Sequence, residues 1–395
     1  MAYVFEDCTE IEKLDLSPFN TKNVTNMNSM FKNCKYLDDL NLSNFNTEKV
    51  TDMSHMFEDC TKMEKLDLSS FNTKNVKNMN SMFKNCKKLK DLNVSNFDTK
   101  NVEDTSKMFN KCEVLKYLDL ANFAFEKIVN MAEMFKDCIE LIALKLENFI
   151  SNTLVSMAHM LSGCKSLTKI VIAAFAVKCV IDMSFMFFGC SSLGNVVFSA
   201  IGCIKVGNIS SMFYGYANIF NLDLSMFDTS SCINMSNLFR GCSNLCDLII
   251  KSFVTVKVVD MAYMLCDCVR LKLLDLSNFI TECVEDMSHM FENCKELVNL
   301  FLDSFDTSNV CDMTEMFSGC ESLKNLDISK FNTSRLSKHS NMFSNCSNLE
   351  KLKFFEYDRK KNDFFENFCG CDNLYDFDVY SYDIEEKRKK QLKGK

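Results

Sequence analysis

The chain has 395 residues, of which 47% are hydrophobic, and its formal net charge is −8. An acidic chain gives no general electrostatic support for nucleic-acid binding, so we expect no nucleic-acid partner. One proline and ten glycines argue against long flexible linkers. No apolar run approaches the roughly 18 residues that a membrane-spanning helix needs.

A cysteine recurs every 26 residues along most of the chain. The series is Cys8, Cys34, Cys60, Cys86, Cys112, Cys138, Cys164, Cys190, Cys242, Cys268, Cys294, Cys320 and Cys346, with Cys371 one residue out of step. Tyr216 takes the corresponding position where the series is interrupted. A period this strict indicates one supersecondary unit that is copied and stacked. Because each coil of such an array touches only its neighbours, a single solenoid can hold the whole length.

Each coil contains two kinds of hydrophobic spacing. In residues 21–45, helical spacing is followed by strand spacing. The helical set is Val24, Met27, Met30, Phe31 and Cys34, and the strand set is Leu37, Leu40 and Leu42. Thr21 precedes the first set and suits a helix N-cap. Successive strands must be parallel because the chain winds the same way each time. The sequence therefore predicts an α/β repeat solenoid of about 14 coils, each with one short parallel strand and one short helix.

The repeat also resembles a known family. Leu37-x-x-Leu40-x-Leu42 matches the start of a leucine-rich repeat, and Asn26-Met27-x-x-Met30-Phe31-x-x-Cys34 resembles the BspA-like leucine-rich-repeat surface proteins of bacteria and anaerobic protists. The resemblance covers about residues 4–353. It implies a curved or rod-like solenoid, usually exported, that is used in adhesion to host proteins or other cells. No signal peptide or anchoring tail is visible, so the cytoplasm is the alternative to the cell surface.

The pattern predicts three segments. Residues 1–353 form the solenoid, with an incomplete first coil; residues 354–384 form a capping repeat rich in aromatic side chains; residues 385–395 form a basic tail. The tail is either solvated or in contact with an acidic surface or membrane headgroups. The uncapped first coil predicts self-association at that edge, or further protein upstream.

The chain contains 22 cysteines, and their spacing favours a buried hydrophobic column over disulfide bridges. Eight lie outside the column: Cys179, Cys203, Cys232, Cys246, Cys266, Cys283, Cys311 and Cys369. Several of these replace polar residues of other coils, and exposed free thiols favour a reducing compartment or an anaerobic habitat. Cys242, Cys246, Cys266 and Cys268 could converge, but two of them belong to the column, so we expect no metal site there.

Enzyme chemistry has little support in the sequence. The four histidines lie on different coils, and His55, His159 and His289 share a register on the polar side, where they are expected to be solvated. No glycine-rich phosphate loop is present. We therefore expect a non-enzymatic protein without a cofactor.

A binding surface is expected on the strand face. There the outward position reads Asp15, Asn41, Asp67 and onward, which is either a solvated ladder or a strip for a cation or sugar. The middle of the chain differs, since Lys205 is the one charged residue from Met183 to Leu222. This stretch is either a more apolar part of the stack or a contact patch. The candidate partner-binding residues are Val171, Ala173, Val197, Tyr214, Tyr216, Phe220, Ile249, Leu273 and Phe301.

Two functions follow from these observations. The first is a protein-binding solenoid, a cell-surface adhesin or a fragment of one, whose partner is a surface protein of a host or neighbouring cell or a second copy of the chain. The second is an intracellular scaffold that uses the same surface for protein–protein interaction.

Overall fold

The computed structural model describes residues 1–120, 122–146, 149–172, 176–177, 179–196, 204–354 and 364–378. The chain divides into two compact units, Met1–Asp228 and Thr229–Lys395. Both are built from coils of a parallel β-solenoid of leucine-rich-repeat type, with about 12 turns in all. This number is slightly below the 14 or so coils expected from the sequence.

Most of the coils contribute short strands. In the first unit they are β1 (Lys13–Leu14), β2 (Asp39–Leu40), β3 (Lys65–Asp67), β4 (Asp91–Asn93), β5 (Ala143–Leu146), β6 (Ile150–Ser151), β7 (Lys169–Ile172), β8 (Ala176–Val177), β9 (Cys179–Asp182), β10 (Ile204–Asn208), β11 (Asn221–Asp223) and β12 (Phe227–Asp228). In the second unit they are β13 (Asp247–Ile249), β14 (Leu273–Asp275), β15 (Asn299–Phe301), β16 (Asn325–Asp327), β17 (Lys351–Lys353) and β18 (Asp376–Asp378), with a 3-10 helix at Phe364–Phe368.

The strands pair in parallel and in the register of the repeat, as predicted. Leu66 of β3 lies beside Leu92 of β4, and Leu326 of β16 lies beside Leu352 of β17. Leu66, Leu326 and Leu352 are buried, and their neighbours along the strands are exposed. Alternation of buried and exposed side chains follows from the two-residue period of a strand. One face of each strand therefore lies on the core and the other faces solvent.

The predicted helix in each coil is wrong. The N–H of Met30 donates to the C=O of Met27, and that of Cys34 donates to the C=O of Phe31, both at 3.2 Å, as in tight turns. Between these turns, the N–H groups of Met27 and Phe31 donate across to the next coil, each at 2.9 Å. The segment is thus a run of turns that hydrogen-bonds to its neighbours, and the described residues contain no α-helix.

Turn geometry explains why helical spacing does not give a helix. Ser29 and Asn33 have φ angles of 53° and 60°, and each is the third residue of one of these turns. Turns of type II require a positive φ there, which favours glycine or asparagine. An α-helix about 10 Å wide would push neighbouring coils apart on that side and curve the stack, whereas turns fit the spacing of about 4.8 Å that the strands impose. Turns satisfy the backbone within that spacing, and they keep the apolar residues facing inward.

Columns of repeated side chains fill the core, and two of them are formed by phenylalanine and cysteine. The rings of Phe31 and Phe57 stack with centroids 5.6 Å apart and planes within 7°. The thiol of Cys60 donates to the C=O of Phe31 at 3.2 Å, and the same contact recurs along each unit. The column cysteines from Cys34 to Cys190 are buried, which confirms the predicted hydrophobic column. The twenty cysteines whose side chains the structure describes are thiols and form no disulfide bond.

Thr21 has a different role from the one predicted. Its side chain is buried, and its hydroxyl accepts a hydrogen bond from the N–H of Asn46 at 2.7 Å and donates to the C=O of the same residue at 3.0 Å. A threonine with these contacts joins two coils. It does not cap a helix, because no helix follows it.

The C-terminal segment continues the stack as far as it is described. β18 pairs with β17, and Phe368 stacks on Phe343 with centroids 5.4 Å apart. The predicted cap at 354–384 is described at Phe354 and over 364–378, and the basic tail at 385–395 lies outside the described residues. In the described part of the chain, no helix combines the length and the apolar character that crossing a membrane requires.

Candidate interaction surface

The strand face exposes large apolar side chains where other coils carry polar ones. Ile249, Leu273 and Phe301 of the second unit are exposed, and so is Phe220 of the first. Asp67 and Asp327 take the position of Phe301 in other coils. Isolated exposed apolar residues are ordinary, whereas neighbouring ones mark candidate interaction sites. The four residues are therefore the part of the predicted patch that the structure leaves available to a partner.

Three candidate residues cannot be placed fully. Val171 lies in β7 with its backbone beside Lys145 of β5, but its side chain is outside the description. Ala173 and Val197 lie outside the described residues. The structure therefore describes the predicted patch from Tyr214 onward.

Tyr216 was predicted to contact a partner, but the structure buries its side chain. Its side chain is 0% exposed, because it occupies the register of the buried cysteine column. Its ring lies 6.4 Å from that of Phe187 and 6.3 Å from that of Phe213. Its hydroxyl donates to the C=O of Gly194, which satisfies the buried phenol. The larger tyrosine thus replaces cysteine in the core and offers nothing to a partner.

Tyr214 and Phe220 differ in exposure. Tyr214 is half-buried, and its ring packs edge-on against Phe188 with centroids 5.1 Å apart. Phe220 comes directly before β11, and its N–H donates to the side-chain oxygen of Asn195 at 3.1 Å. The backbone of Phe220 is anchored while its ring stays exposed. Of the aromatic residues predicted for the first unit, Phe220 is the one suited to contact a partner.

Leu273 and Phe301 share the strand face of the second unit. They are 58% and 48% exposed. Pairing of β14 with β15 sets Leu273 beside Asn299 and Phe301 beside Asp275. The two apolar residues are thus diagonal neighbours, and such residues lie roughly 7–8 Å apart. Together they form an apolar strip bordered by polar side chains.

A shallow depression of about 330 Å³ adjoins this strip. Phe301 forms part of its wall, with Asp303, Asp327, Lys351 and Lys353. The ammonium of Lys353 lies 2.9 Å from the Asp327 carboxylate. The Ser329 hydroxyl, which donates to that carboxylate at 2.6 Å, lowers the pKa of Asp327, and Lys353 lowers it further. The depression therefore keeps paired charges beside an exposed aromatic ring at neutral pH.

Cys266 was expected at a polar surface position, but the structure buries it. Its thiol donates to the carboxylate of Glu292 at 3.4 Å. The same Glu292 belongs to a group with His289 and Glu315, whose donor atoms all lie within 4.8 Å of one another. Sequence reasoning treated His289 as a solvated residue and missed this group. The signal was present, since Glu292 follows His289 by three residues and Glu315 follows it by one repeat.

Comparison with solved structures supports the fold. A leucine-rich repeat protein from Bacteroides ovatus is similar over 96% of this chain and 87% of its own, with 19% identity and a TM-score of 0.56. A leucine-rich cell surface protein from Faecalibacterium prausnitzii covers 62% of this chain and 81% of its own, with 14% identity and a TM-score of 0.27. An internalin from Listeria monocytogenes covers 89% and 83%, with 15% identity and a TM-score of 0.28. The first shows a leucine-rich-repeat fold; the other two are too distant to carry an argument.

The search of curated proteins gives no match. A family model does match nearly the whole chain, in four overlapping segments at residues 1–118, 108–219, 195–273 and 266–376. The segments follow the repeated coils, so the match rests on the same pattern as the fold. The chain therefore belongs to the family described as "Mycoplasma protein of unknown function, DUF285".

Proposed function

We propose that the chain is a non-enzymatic protein-binding solenoid that acts as a cell-surface adhesin. The exposed ring of Phe301 on the strand face carries this proposal, since it stands where aspartate occupies other coils. Aromatic residues are favoured at the centres of protein interfaces, and solenoids present extended binding surfaces. The partner is a protein on the surface of another cell.

The surroundings of Phe301 suit such a partner. Leu273 extends the apolar strip, and the Lys353–Asp327 pair borders the depression beside it. An apolar centre with a charged rim is the usual anatomy of a protein interface. The rim gives specificity, and the aromatic ring supplies the binding energy.

Substitutions at two equally exposed residues test the proposal. Phe301→Asp introduces the residue found at this position in β3 and β16, so the fold should tolerate it. Ile280→Asp is the control: Ile280 is also 48% exposed, but it follows the turn after β14, and its position carries Asp306 in the next coil. Fluorescently labelled full-length chain is applied to cultured epithelial cells, with and without trypsin removal of surface proteins.

We expect wild type and Ile280→Asp to bind untreated cells alike, and Phe301→Asp to bind about tenfold more weakly or worse. Trypsin treatment should remove the binding. Equal binding by Phe301→Asp, or binding that survives trypsin, would contradict the proposal. Sedimentation of the three proteins tests a second copy of the chain as the partner, because a self-association site at Phe301 would make wild type oligomeric and Phe301→Asp monomeric.

A second function is favoured by the exposed thiols of Cys246, Cys283 and Cys369. Free exposed thiols persist best in a reducing compartment, where the same surface would serve as an intracellular scaffold. Antibody labelling of source cells before and after permeabilisation separates the two functions. Labelling of intact cells supports the adhesin, and labelling that needs permeabilisation supports the scaffold.

A further inference from the structure

Three side chains of the second unit form a compact donor group. The Nδ1 atom of His289 lies 2.9 Å from an oxygen of Glu292 and 3.9 Å from an oxygen of Glu315. The three side chains are 17%, 21% and 30% exposed, so solvent reaches them. His289 and Glu292 lie in one coil and Glu315 in the next. An ion held here would connect two coils.

The first unit contains the same histidine–glutamate pair with a different surrounding. His55 and Glu58 occupy the register of His289 and Glu292, and their Nδ1–oxygen distance is 2.6 Å. There the carboxylate is neutralised by Lys84 at 2.6 Å, with Lys32 at 4.0 Å. Paired in this way, Glu58 has no need of a metal ion.

In the second unit, the corresponding glutamate has no such lysines beside it. The registers of Lys32 and Lys84 are taken by Cys266 and Ser318, and the register of Ser81 is taken by Glu315. Two lysines are thus replaced by neutral residues while a second carboxylate is added. Among the described residues, no lysine or arginine lies within 4.0 Å of the Glu292 or Glu315 carboxylate. The negative charge of the group is therefore left without a fixed cation.

The histidine ring is held in place by stacking. The ring of Tyr263 lies 4.3 Å from that of His289, with the planes within 6°. The guanidinium of Arg240 lies 4.3 Å from the centre of the Tyr263 ring, and so it occupies the face opposite to His289. Arg240 stacks on the tyrosine and donates to the side chain of Asn237 at 3.2 Å, and Nδ1 of His289 lies beside the two carboxylates. A ring fixed in this way is a pre-oriented ligand.

We propose that His289, Glu292 and Glu315 bind a divalent transition-metal ion such as Zn²⁺. One imidazole nitrogen and two carboxylate oxygens are ligands that Zn²⁺ accepts, with a fourth position for water. Bonds of about 2.0–2.1 Å in a tetrahedron place ligand atoms about 3.3 Å apart, a value that lies between the two distances from Nδ1. The buried thiol of Cys266 donates a hydrogen bond to the Glu292 carboxylate at 3.4 Å and so helps to orient this ligand.

Zinc titration of the full-length chain tests the proposal. The exposed cysteines are first alkylated in the folded protein, so that they do not bind the ion. Glu315→Ser introduces the residue found at Ser81 in the same register, and Glu58→Gln is the matched control in the first unit. Calorimetry with Zn²⁺ alone gives the stoichiometry and affinity, and thermal unfolding with and without the ion gives a second readout.

We expect one ion per chain for wild type and for Glu58→Gln, with a Zn²⁺-dependent rise in melting temperature. Glu315→Ser should bind about tenfold more weakly or worse, since loss even of groups that only support a ligand costs about 10–100-fold in affinity. Its melting temperature in the absence of Zn²⁺ serves as the folding control. No binding by wild type, or equal binding by Glu315→Ser, would overturn the proposal.

Discussion

Thr47 holds Asn72 of the next coil through a single hydroxyl group. The hydroxyl donates to the C=O of Asn72 at 3.0 Å and accepts from its N–H at 2.7 Å. The threonine is buried, and its one hydroxyl pairs with both backbone groups of Asn72. The same arrangement recurs at Thr21, Thr73, Thr99, Thr229 and Thr255. Adjacent coils are therefore joined by side chains as well as by backbone.

Replacing this hydroxyl should destabilise the protein. Thr47→Val keeps the shape of the side chain but leaves the N–H and C=O of Asn72 without their partner. A buried polar group without a partner costs about 1–3 kcal/mol, so urea unfolding should show a loss of that size. Thr47→Ser, which keeps the hydroxyl, is the control and should lose much less. Equal losses for the two variants would contradict the role of the hydroxyl.

The fold was predictable where the sequence pattern and the stacking requirement agree. The periodic Cys34, Phe31 and Leu37 positions identified the coil, its length and its core, and the strand at Leu40 follows from alternation. The helix was wrong because the spacing from Met27 to Cys34 suits both a helix and a run of turns. The spacing of apolar residues alone does not distinguish a helix from a run of turns.

The residue before each column cysteine indicates a turn and not a helix. It is asparagine, aspartate or glycine in nearly every coil, as at Asn33, Asp59 and Gly163. Such residues are poor inside a helix but suit a positive φ. Gly163 has a φ of 78°, and Asp59 has one of 62°. The prediction from the sequence did not use this position, so its preference for a positive φ was missed.

The candidate surface was predictable in part. Phe301 was found because it interrupts a polar ladder, and Leu273, two residues before the ladder position at Asp275, was included as an extension of the patch. Tyr216 was misplaced, because an aromatic residue in a glycine-rich stretch resembles a surface contact although its register is that of the core. The group at His289 was missed because it depends on the replacement of lysines one coil away, at Cys266 and Ser318.

Acid should remove the stabilising effect of Glu58. Burial raises the pKa of this carboxyl, but hydrogen bonds from His55 and Lys84 outweigh burial and lower it to about 2. A depressed pKa contributes stability above the unfolded value of about 4.3, and this contribution is lost as the pH falls toward 2. Glu58→Gln should therefore cost on the order of 2 kcal/mol at pH 7 and progressively less below pH 4.5 or so.

Urea unfolding of wild type and Glu58→Gln across this pH range checks the expectation. Glu64→Gln is the control, because Glu64 pairs with Lys90 at the exposed surface and exposed pairs contribute little. A difference between wild type and Glu58→Gln that does not change with pH would contradict the assignment.

The phenylalanine column predicts that the loss of stability grows with the volume removed from one of its side chains. Phe83 stacks between Phe57 at 5.8 Å and Phe109 at 5.5 Å. Phe83→Ala leaves a cavity and should cost about 3–5 kcal/mol in urea unfolding. Phe83→Leu should cost clearly less, because Leu161 and Leu265 occupy the same register and are buried. If both changes had the same effect, Phe83 would not be packed as described.

Thiol reactivity should separate two classes of cysteine. Burial raises the pKa of Cys112 and of Cys320 to about 12, whereas Cys246 and Cys283 are exposed. The thiolate is the reactive form, so the column thiols should resist iodoacetamide in the folded protein and react after unfolding. Peptide mass spectrometry gives the labelled positions. Alkylation of Cys112 in the folded protein as fast as of Cys283 would contradict the buried column.

The central claim is that the apolar segment of each coil, such as Met27–Cys34, forms turns bonded to the next coil. Far-ultraviolet circular dichroism of the full-length protein tests it most directly. The account predicts a spectrum of strands and turns without the double minimum of α-helix. A helical spectrum, which one short helix in every coil would produce, would contradict the account.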